Sequence, residues 1–344
     1  MEIQRLIPFP LIFEITENLD LTLKKCLSEH FSDTSKLFIV SDNGGAKKYG
    51  EFLVNTLNPC CSIFLKGGTI RDVIEVESII KDRVPDVVIG VGGGRILDTV
   101  KLACSRTFVP FILVPTSLSH DGIISPVAVI DFGGEIKSVG AIAPNGVVVD
   151  INIVDKAPKI LKLAGCGDLV SNLSALEDWK LAAKYRNEKI DYFAYMLSKT
   201  GARNIIYSEY EPFSKDFLKD LAEGLAASGL SMIISGNSRP ASGAEHLISH
   251  ALDAILGRKN PHGIQVGVAT IFTQSLRGRD IGRIVDFYRK IGFPLTPMEI
   301  GVDRETFMKA VKLAPLTRKG RFTILDIERS MDNLNRAFDL YYTL

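Results

Sequence analysis

The chain has 344 residues, enough for two domains with separate cores. Hydrophobic residues make up 46% and charged residues 24%, the balance of a globular protein, which excludes a disordered chain. Forty-one basic side chains against 40 acidic ones leave a formal charge of +1, so neither a nucleic-acid footprint nor a polybasic membrane patch is expected.

The first residues, MEIQRLIPFPLIFEI, lack a basic segment followed by an apolar core and a small-residue cleavage site, and so do not read as a secretory signal. No apolar stretch approaches the roughly 18 residues of a membrane span. Cys26, Cys60, Cys61, Cys104 and Cys166 are scattered and odd in number, with no CxxC pair. They read as free thiols of a reducing compartment, and a cytoplasmic protein is expected.

Strand and helix patterns alternate along the first part of the chain. Lys36–Ser41 is a short apolar run closing on Asp42-Asn-Gly-Gly45, and a helical stretch, Ala46–Leu57, follows. Ser62–Leu65 is a second strand, Thr69–Lys81 a helix and Pro85–Gly90 a third strand. Gly92-Gly-Gly94 then leads into a helix over Ile96–Ser105, and Val109–Pro115 is a fourth strand. Near-continuous Val/Ile runs fit strands buried on both faces of a parallel sheet, so a doubly wound α/β domain is predicted. After about residue 155 the pattern turns helical, with stretches at Leu173–Tyr185, Lys215–Ile234, Ala244–Leu256 and Val266–Thr273. The division falls within Asn152–Lys162. A Rossmann-like domain over residues 1–155 and a helical domain over 156–344 are expected, with ligands in the cleft such a pair creates.

The glycine turn lies in Asp86-Val-Val-Ile-Gly-Val-Gly-Gly-Gly-Arg-Ile-Leu-Asp98. Glycines let a backbone approach a phosphate, and the following helix start offers N–H groups and the positive dipole end. The same turn can be merely a tight connection. Its GGGxxxD pattern is neither GxGxxG nor a Walker A loop. Asp42 ends an earlier strand, where an acid can bond ribose hydroxyls and repel a 2′-phosphate; it can equally be a turn former.

His120, His246, His250 and His262 all lie in polar, glycine-containing contexts, whereas His30 reads as a surface residue. His246 and His250 are four apart on one predicted helix and share a face. His262 sits in Asn260-Pro-His-Gly263, a turn before the next helix. Asp168, in Ala164-Gly-Cys-Gly-Asp-Leu169, is read at a turn-to-helix junction, where an acid is also a good cap. One carboxylate and two imidazoles make a three-ligand site with room for water or substrate oxygens, the arrangement of a catalytic zinc; nickel, iron or manganese also suit such ligands. Asn172, four residues after Asp168, is not a ligand.

The stretches VGGGRILDTVKLA, PFILVPTSLSHDGIISP, AGCGDLVSNLSALEDWKLA, SGNSRPASGAEHLISHALD, PHGIQVGVATI and GRFTILD run almost end to end. In them the chain resembles the iron-containing alcohol dehydrogenase and dehydroquinate synthase superfamily, and within it the sn-glycerol-1-phosphate dehydrogenase branch. The resemblance implies a dehydroquinate synthase-like fold, with an α/β Rossmann-like N-terminal domain and an all-α C-terminal domain. It implies that Gly92, Gly93, Gly94 and Asp98 hold the pyrophosphate of NAD, that Asp42 takes the adenosine ribose, and that Thr116, Ser119 and Lys137 are further cofactor contacts. NADP stays open as the alternative. Asp168, His246 and His262 match the metal ligands, for zinc with nickel or iron as alternatives. Asp121 and His250 match the catalytic residues facing substrate and nicotinamide.

The expected reaction interconverts glycerol 1-phosphate and dihydroxyacetone phosphate in a homo-oligomeric enzyme. One departure bears on it: the branch shows His-Gly-Glu-Gln where this chain has His262-Gly-Ile264-Gln265. Glycerol or another polyol or cyclitol therefore remains an alternative substrate. A dehydroquinate-synthase-like cyclase uses the same scaffold but brings more lysines and arginines and a different acidic ligand.

Overall fold

A computed structural model describes residues 12–31, 36–328 and 330–342. Most of the N-terminal stretch read for a secretory signal lies outside them. The chain divides into two compact units. One comprises residues up to Leu118 and Gly122–Ala157; the other comprises Ser119–Asp121 and everything from Pro158 onward. The short segment Ser119–Asp121 thus belongs with the helical unit, an excursion that a single boundary does not anticipate.

The first unit runs β1 (Ile12–Thr16), α1 (Leu19–His30), β2 (Leu37–Asp42), α2 (Lys47–Leu57), β3 (Cys61–Leu65), α3 (Ile70–Arg83), β4 (Val87–Gly92), α4 (Gly94–Thr107), β5 (Phe111–Pro115), β6 (Val127–Asp131), β7 (Ile136–Gly140), β8 (Gly146–Asp150) and α5 (Ile151–Asp155). Six strands form a parallel sheet in the order β1-β8-β5-β4-β2-β3. All residues of β4 and β5 are buried, as their unbroken apolar runs require. The sequence reading missed β1 and β8 of this sheet, and also β6 and β7, which form a separate antiparallel hairpin with β7 largely exposed. Thr69 starts α3 through a reciprocal capping box with Asp72.

The chain leaves β2 for β3 on one side and then crosses to β4 on the other. This reversal is a topological switch point, where ligands of open α/β sheets bind beyond the carboxyl ends of the strands. Ser41 on β2 lies opposite Val91 on β4 and donates to its carbonyl at 3.1 Å. Asp42 and Gly92 follow at that same edge.

The second unit has no strand among its described residues. It contains α6 (Lys159–Arg186), α7 (Tyr192–Ile206), α8 (Lys215–Ser235), α9 (Ala244–Leu256), α10 (His262–Leu276), α11 (Gly282–Ile291), α12 (Arg304–Thr317) and α13 (Met331–Tyr342). No helix of the described residues is long and apolar enough to cross a membrane.

The largest correction concerns α6. It is 28 residues long, so Ala164-Gly-Cys-Gly-Asp-Leu169 is helix interior rather than a turn. Gly167 serves packing. A Cβ on Gly167 would lie 2.1 Å from the Gly263 carbonyl oxygen, and one on Gly263 would lie 1.9 Å from that of Ala164. Gly267, one turn along α10, is also crowded: its would-be Cβ would lie 2.9 Å from the Gly167 Cα. Backbone meets backbone here, and the Phe293 ring fills the adjoining space. Gly167→Ala distinguishes packing from propensity. Propensity alone favours Ala in a helix interior by about 1 kcal/mol. The contact predicts the opposite sign, a destabilisation of about 1–3 kcal/mol. Urea unfolding will show a lower midpoint, and an equal or higher one rules the contact out.

Candidate metal centre

One ligand atom each from Asp168, His246 and His262 lies within 4.8 Å of the others. They come from α6, α9 and α10, all in the second unit. The His246 Nε2 and Asp168 Oδ1 atoms are 3.9 Å apart, too far for a hydrogen bond but near enough to converge on one ion. The His246 and His262 rings meet edge to face at 4.9 Å, and His250 stacks on His262 at 5.9 Å.

Each of the two imidazoles in this cluster has its Nδ1 committed. His246 Nδ1 lies 3.0 Å from Glu245 Oε1, a buried carboxylate that can only accept, so Nε2 is left with its lone pair. Glu245 Oε1 also accepts from the Gly243 N–H at 2.6 Å. Three bonds orient His262. Gln265 Nε2 donates to Asp253 at 3.0 Å, which turns the amide so that its oxygen accepts from Ser249 at 2.6 Å. Having spent its proton, Ser249 Oγ accepts from His262 Nδ1 at 3.1 Å, and His262 Nε2 is free to coordinate. Such outer bonds fix tautomer and ring orientation at metal sites.

The electrostatics favour a cation. Burial and the charge of Asp121 push the Asp168 carboxyl up to about 7, against the pull of His246. Burial opposes protonation of His246, but its bond to Glu245 and the charges of Glu245, Asp168 and Asp121 win, and its pKa rises. Burial and the neighbouring His246, His250 and His120 hold His262 well below its usual value. Crowded carboxylates beside a neutral imidazole are the donor set that a divalent ion relieves.

Asp121 begins a short 3-10 turn. Its N–H donates to Asp168 Oδ2 at 2.9 Å, and its Oδ2 accepts from Ser228 at 2.9 Å. Asn172 donates to Ser228 at 3.0 Å, so this side chain supports the acid beside the ligand set instead of ligating. His250 is exposed on one side. Crowding on the other, then the charges of His246, Arg318 and Arg258, bring its pKa down to about 4. The sequence reading missed Glu245, Ser249, Asp253 and Gln265. The i,i+4 spacing of Glu245, Ser249 and Asp253 on α9 was the available signal.

Position 264 is 1% exposed, so the departure from the branch pattern falls in the core of α10 rather than among the ligands. In the first unit, Gly92 ends β4, Gly93 caps α4 without a side-chain partner and Gly94 opens the helix. A Cβ on Gly93 would meet only Ser117 Oγ, at 3.9 Å, so the turn is open to a close ligand. Thr116 N–H donates to the Gly92 carbonyl at 3.0 Å. Asp42 Oδ1 accepts from the Gly44 N–H. Asp98 is buried, paired with Lys101 at 2.8 Å and accepting from Val129 N–H at 3.0 Å. These partners tie α4 to β6. Lys137 lies on the exposed β7 and pairs with Glu135 at 2.9 Å. Ser119 lies in the second unit with Asp121.

The profile of the family described as iron-containing alcohol dehydrogenase matches residues 14–158. A glycerol-1-phosphate dehydrogenase (NAD(P)+) from Pyrococcus furiosus is 41% identical over 266 residues, covering 77% of each chain. One from Methanosarcina acetivorans is 39% identical over 281 residues, covering 81% of this chain and 79% of its own. The chain belongs to the iron-containing alcohol dehydrogenase family, alongside its glycerol-1-phosphate dehydrogenases. It is an NAD(P)-dependent alcohol dehydrogenase by that membership. Glycerol dehydrogenase from Schizosaccharomyces pombe shares the fold, with a TM-score of 0.80 at 17% identity over 99% of this chain and 92% of its own. A probable glycerol dehydrogenase from Sinorhizobium meliloti gives 0.75 at 18% identity over 99% of this chain and 100% of its own.

Two measurements probe this centre. Ser249→Ala removes the acceptor that sets the His262 tautomer and is expected to weaken divalent-metal affinity about 10- to 100-fold in a chelator competition. Metal entry also requires Asp168 to lose its proton. The apparent affinity should therefore hold above about pH 7 and fall as the pH drops below it. An affinity flat from pH 8 to 5.5 would contradict the arrangement.

Proposed function

We propose that this protein interconverts sn-glycerol 1-phosphate and dihydroxyacetone phosphate with NAD(H). The observation that carries the reading is the convergence of Asp168, His246 and His262 within 4.8 Å in a chain 41% identical to a named glycerol-1-phosphate dehydrogenase. Asp168, His246 and His262 would hold a divalent ion, zinc by preference, which when bound would supply a Lewis acid for the carbinol or ketone oxygen. The protein's own groups do the rest.

Asp121 is fixed at its N–H by Asp168 and at its carboxylate by Ser228, which suits it to orient the substrate hydroxyls. His250 faces solvent on one side and, with its pKa brought down to about 4 by burial and the charge of His246, is a neutral imidazole near pH 7 that can accept a hydrogen bond from a substrate hydroxyl. Gly92–Gly94 and the start of α4 would receive the pyrophosphate, with Asp98 holding that helix in place and Thr116, Ser119 and Lys137 as further contacts. Asp42, one oxygen held by Gly44, keeps the other for a ribose hydroxyl, which favours NAD over NADP. The two units divide these tasks, the first taking the nucleotide and the second the metal and substrate. Free thiols without disulfides fit a cytoplasmic enzyme.

Oxidation of NADH by dihydroxyacetone phosphate, by dihydroxyacetone and by cyclic ketones tests the reading. A preference for the phosphorylated ketone is expected. Turnover of free dihydroxyacetone with no response to the phosphorylated ketone would make the protein a glycerol dehydrogenase instead. His246→Ala should lower kcat/KM by about a thousandfold or more, given the size of the effect of losing electrostatic stabilisation at a reacting oxygen, while NADH still binds by fluorescence titration.

A further inference from the structure

Three guanidiniums gather in the second unit around the residues between α8 and α9. Arg239 is neutralised: Glu188 takes its Nε at 2.7 Å and its Nη2 in a two-pronged ion pair, and the Phe322 carbonyl accepts from Nη1 at 2.7 Å. Arg321 is different. It is 8% exposed and donates Nη1 to the Ser242 carbonyl at 3.1 Å and Nη2 to Ser238 Oγ at 2.6 Å. Arg318, which is exposed, donates Nη1 to that same Ser238 oxygen at 2.9 Å. Among the described residues no carboxylate forms an ion pair with Arg318 or Arg321. The acids whose charge reaches Arg321 are already engaged, Glu188 by Arg239 and Glu245 by His246 and the Gly243 N–H.

Two cations thus share one neutral hydroxyl, one of them almost fully buried, an arrangement that costs free energy until an anion arrives. Burial and the charges of Arg318 and Arg239 already hold Arg321 down to about 9, so it is still cationic at neutral pH. Ser238 Oγ accepts from both guanidiniums, which leaves its own proton to donate. Planar guanidinium forks with a hydroxyl donor between them match the oxygens of a phosphoryl group. The place is right as well. Arg321 grips Ser242, adjacent to the residue that caps α9, and α9 carries His246 and His250. Arg318 is near enough for its charge to act on His250.

We propose that Arg318, Arg321 and Ser238 form the receptor for the substrate's phosphoryl group and set the choice of a phosphorylated over a free polyol. The proposal rests on the function proposed above. The 2′-phosphate of NADP offers the same chemistry from another source, and the test separates the two.

The decisive quantity is the ratio of kcat/KM for dihydroxyacetone phosphate to kcat/KM for dihydroxyacetone. Arg318→Gln should lower it about 10- to 100-fold, the scale of a hydrogen bond to a charged group. The loss should sit in KM for the phosphorylated ketone, with metal content and unfolding midpoint as in the wild type. Arg318→Lys should recover part of it. Lys319→Gln, which removes the neighbouring charge but no bond to Ser238, should leave the ratio unchanged. Inorganic phosphate should raise the wild-type unfolding midpoint, and Arg318→Gln should abolish that rise. An unchanged ratio in Arg318→Gln overturns the receptor while leaving the function intact. A rise in KM for NADPH instead assigns the cluster to the nucleotide and also overturns it. Should the wild type ignore dihydroxyacetone phosphate, the proposed function fails, and the phosphate shift alone then decides whether an anion receptor exists.

Discussion

The contact between the α6 and α10 backbones at Gly167 and Gly263 is the constraint from which the chemistry of the helical unit follows. Two helices ordinarily pack with axes about 8–10 Å apart because side chains intervene. Here a single Cβ on either glycine would collide with a carbonyl of the facing helix. The residues that follow and precede these glycines are Asp168 and His262. Two of the three candidate ligands are thereby brought together on helices without any loop to place them, and α9 supplies His246 as the third. A site built this way inherits the rigidity of the helices and loses it if either glycine gains a side chain.

Orientation is fixed by a second layer of the same kind. Glu245 fixes His246, and the sequence Asp253, Gln265, Ser249 fixes His262, each bond leaving the next group a single hydrogen-bonding role. Asn172 and Ser228 do the same for Asp121. Burial, then the charge of Asp121, holds the Asp168 proton up to about 7, and against its own burial His246 becomes more basic through its bond to Glu245 and the acids around it. A divalent ion bound there would take the place of those protons. The cluster joins crowded charge to side chains already oriented by hydrogen bonds, the combination expected of a preorganised metal site.

Much of this was legible in the residues. Unbroken Val/Ile runs marked β2, β4 and β5, and periodic apolar spacing marked α8 and α9, because burial imposes those patterns directly. The histidine contexts singled out His246 and His262, which the fold brings together with Asp168. Other features were hidden for physical reasons. The stretch around Gly167 read as a turn because local propensity cannot register a tertiary contact that makes glycine necessary inside a helix. The hairpin of β6 and β7 has one exposed strand and so little pattern to read. Gln265 and Ser249 are ordinary polar residues until the fold aligns them. The excursion of Ser119–Asp121 into the helical unit depends on pairing with Asp168, 47 positions away in sequence.

Ile264 shows how a sequence departure changes meaning once it is placed. In a motif beginning with a metal ligand, an apolar residue where related chains carry an acid reads as a change of substrate. Buried in α10, it reads as a core substitution two residues along from His262, while Gln265, on the next position, keeps the bond that orients Ser249. The residues best able to distinguish a phosphorylated polyol from a free one are cations lacking a partner, since a phosphoryl group differs from a hydroxyl mainly in charge and in acceptor oxygens. A substitution at 264 alters neither. On the proposed function, substrate choice is accordingly separable from the metal chemistry: the three candidate ligands would answer for the oxygen at the reacting carbon, and the charge at the far end of the substrate would have to be met by other side chains.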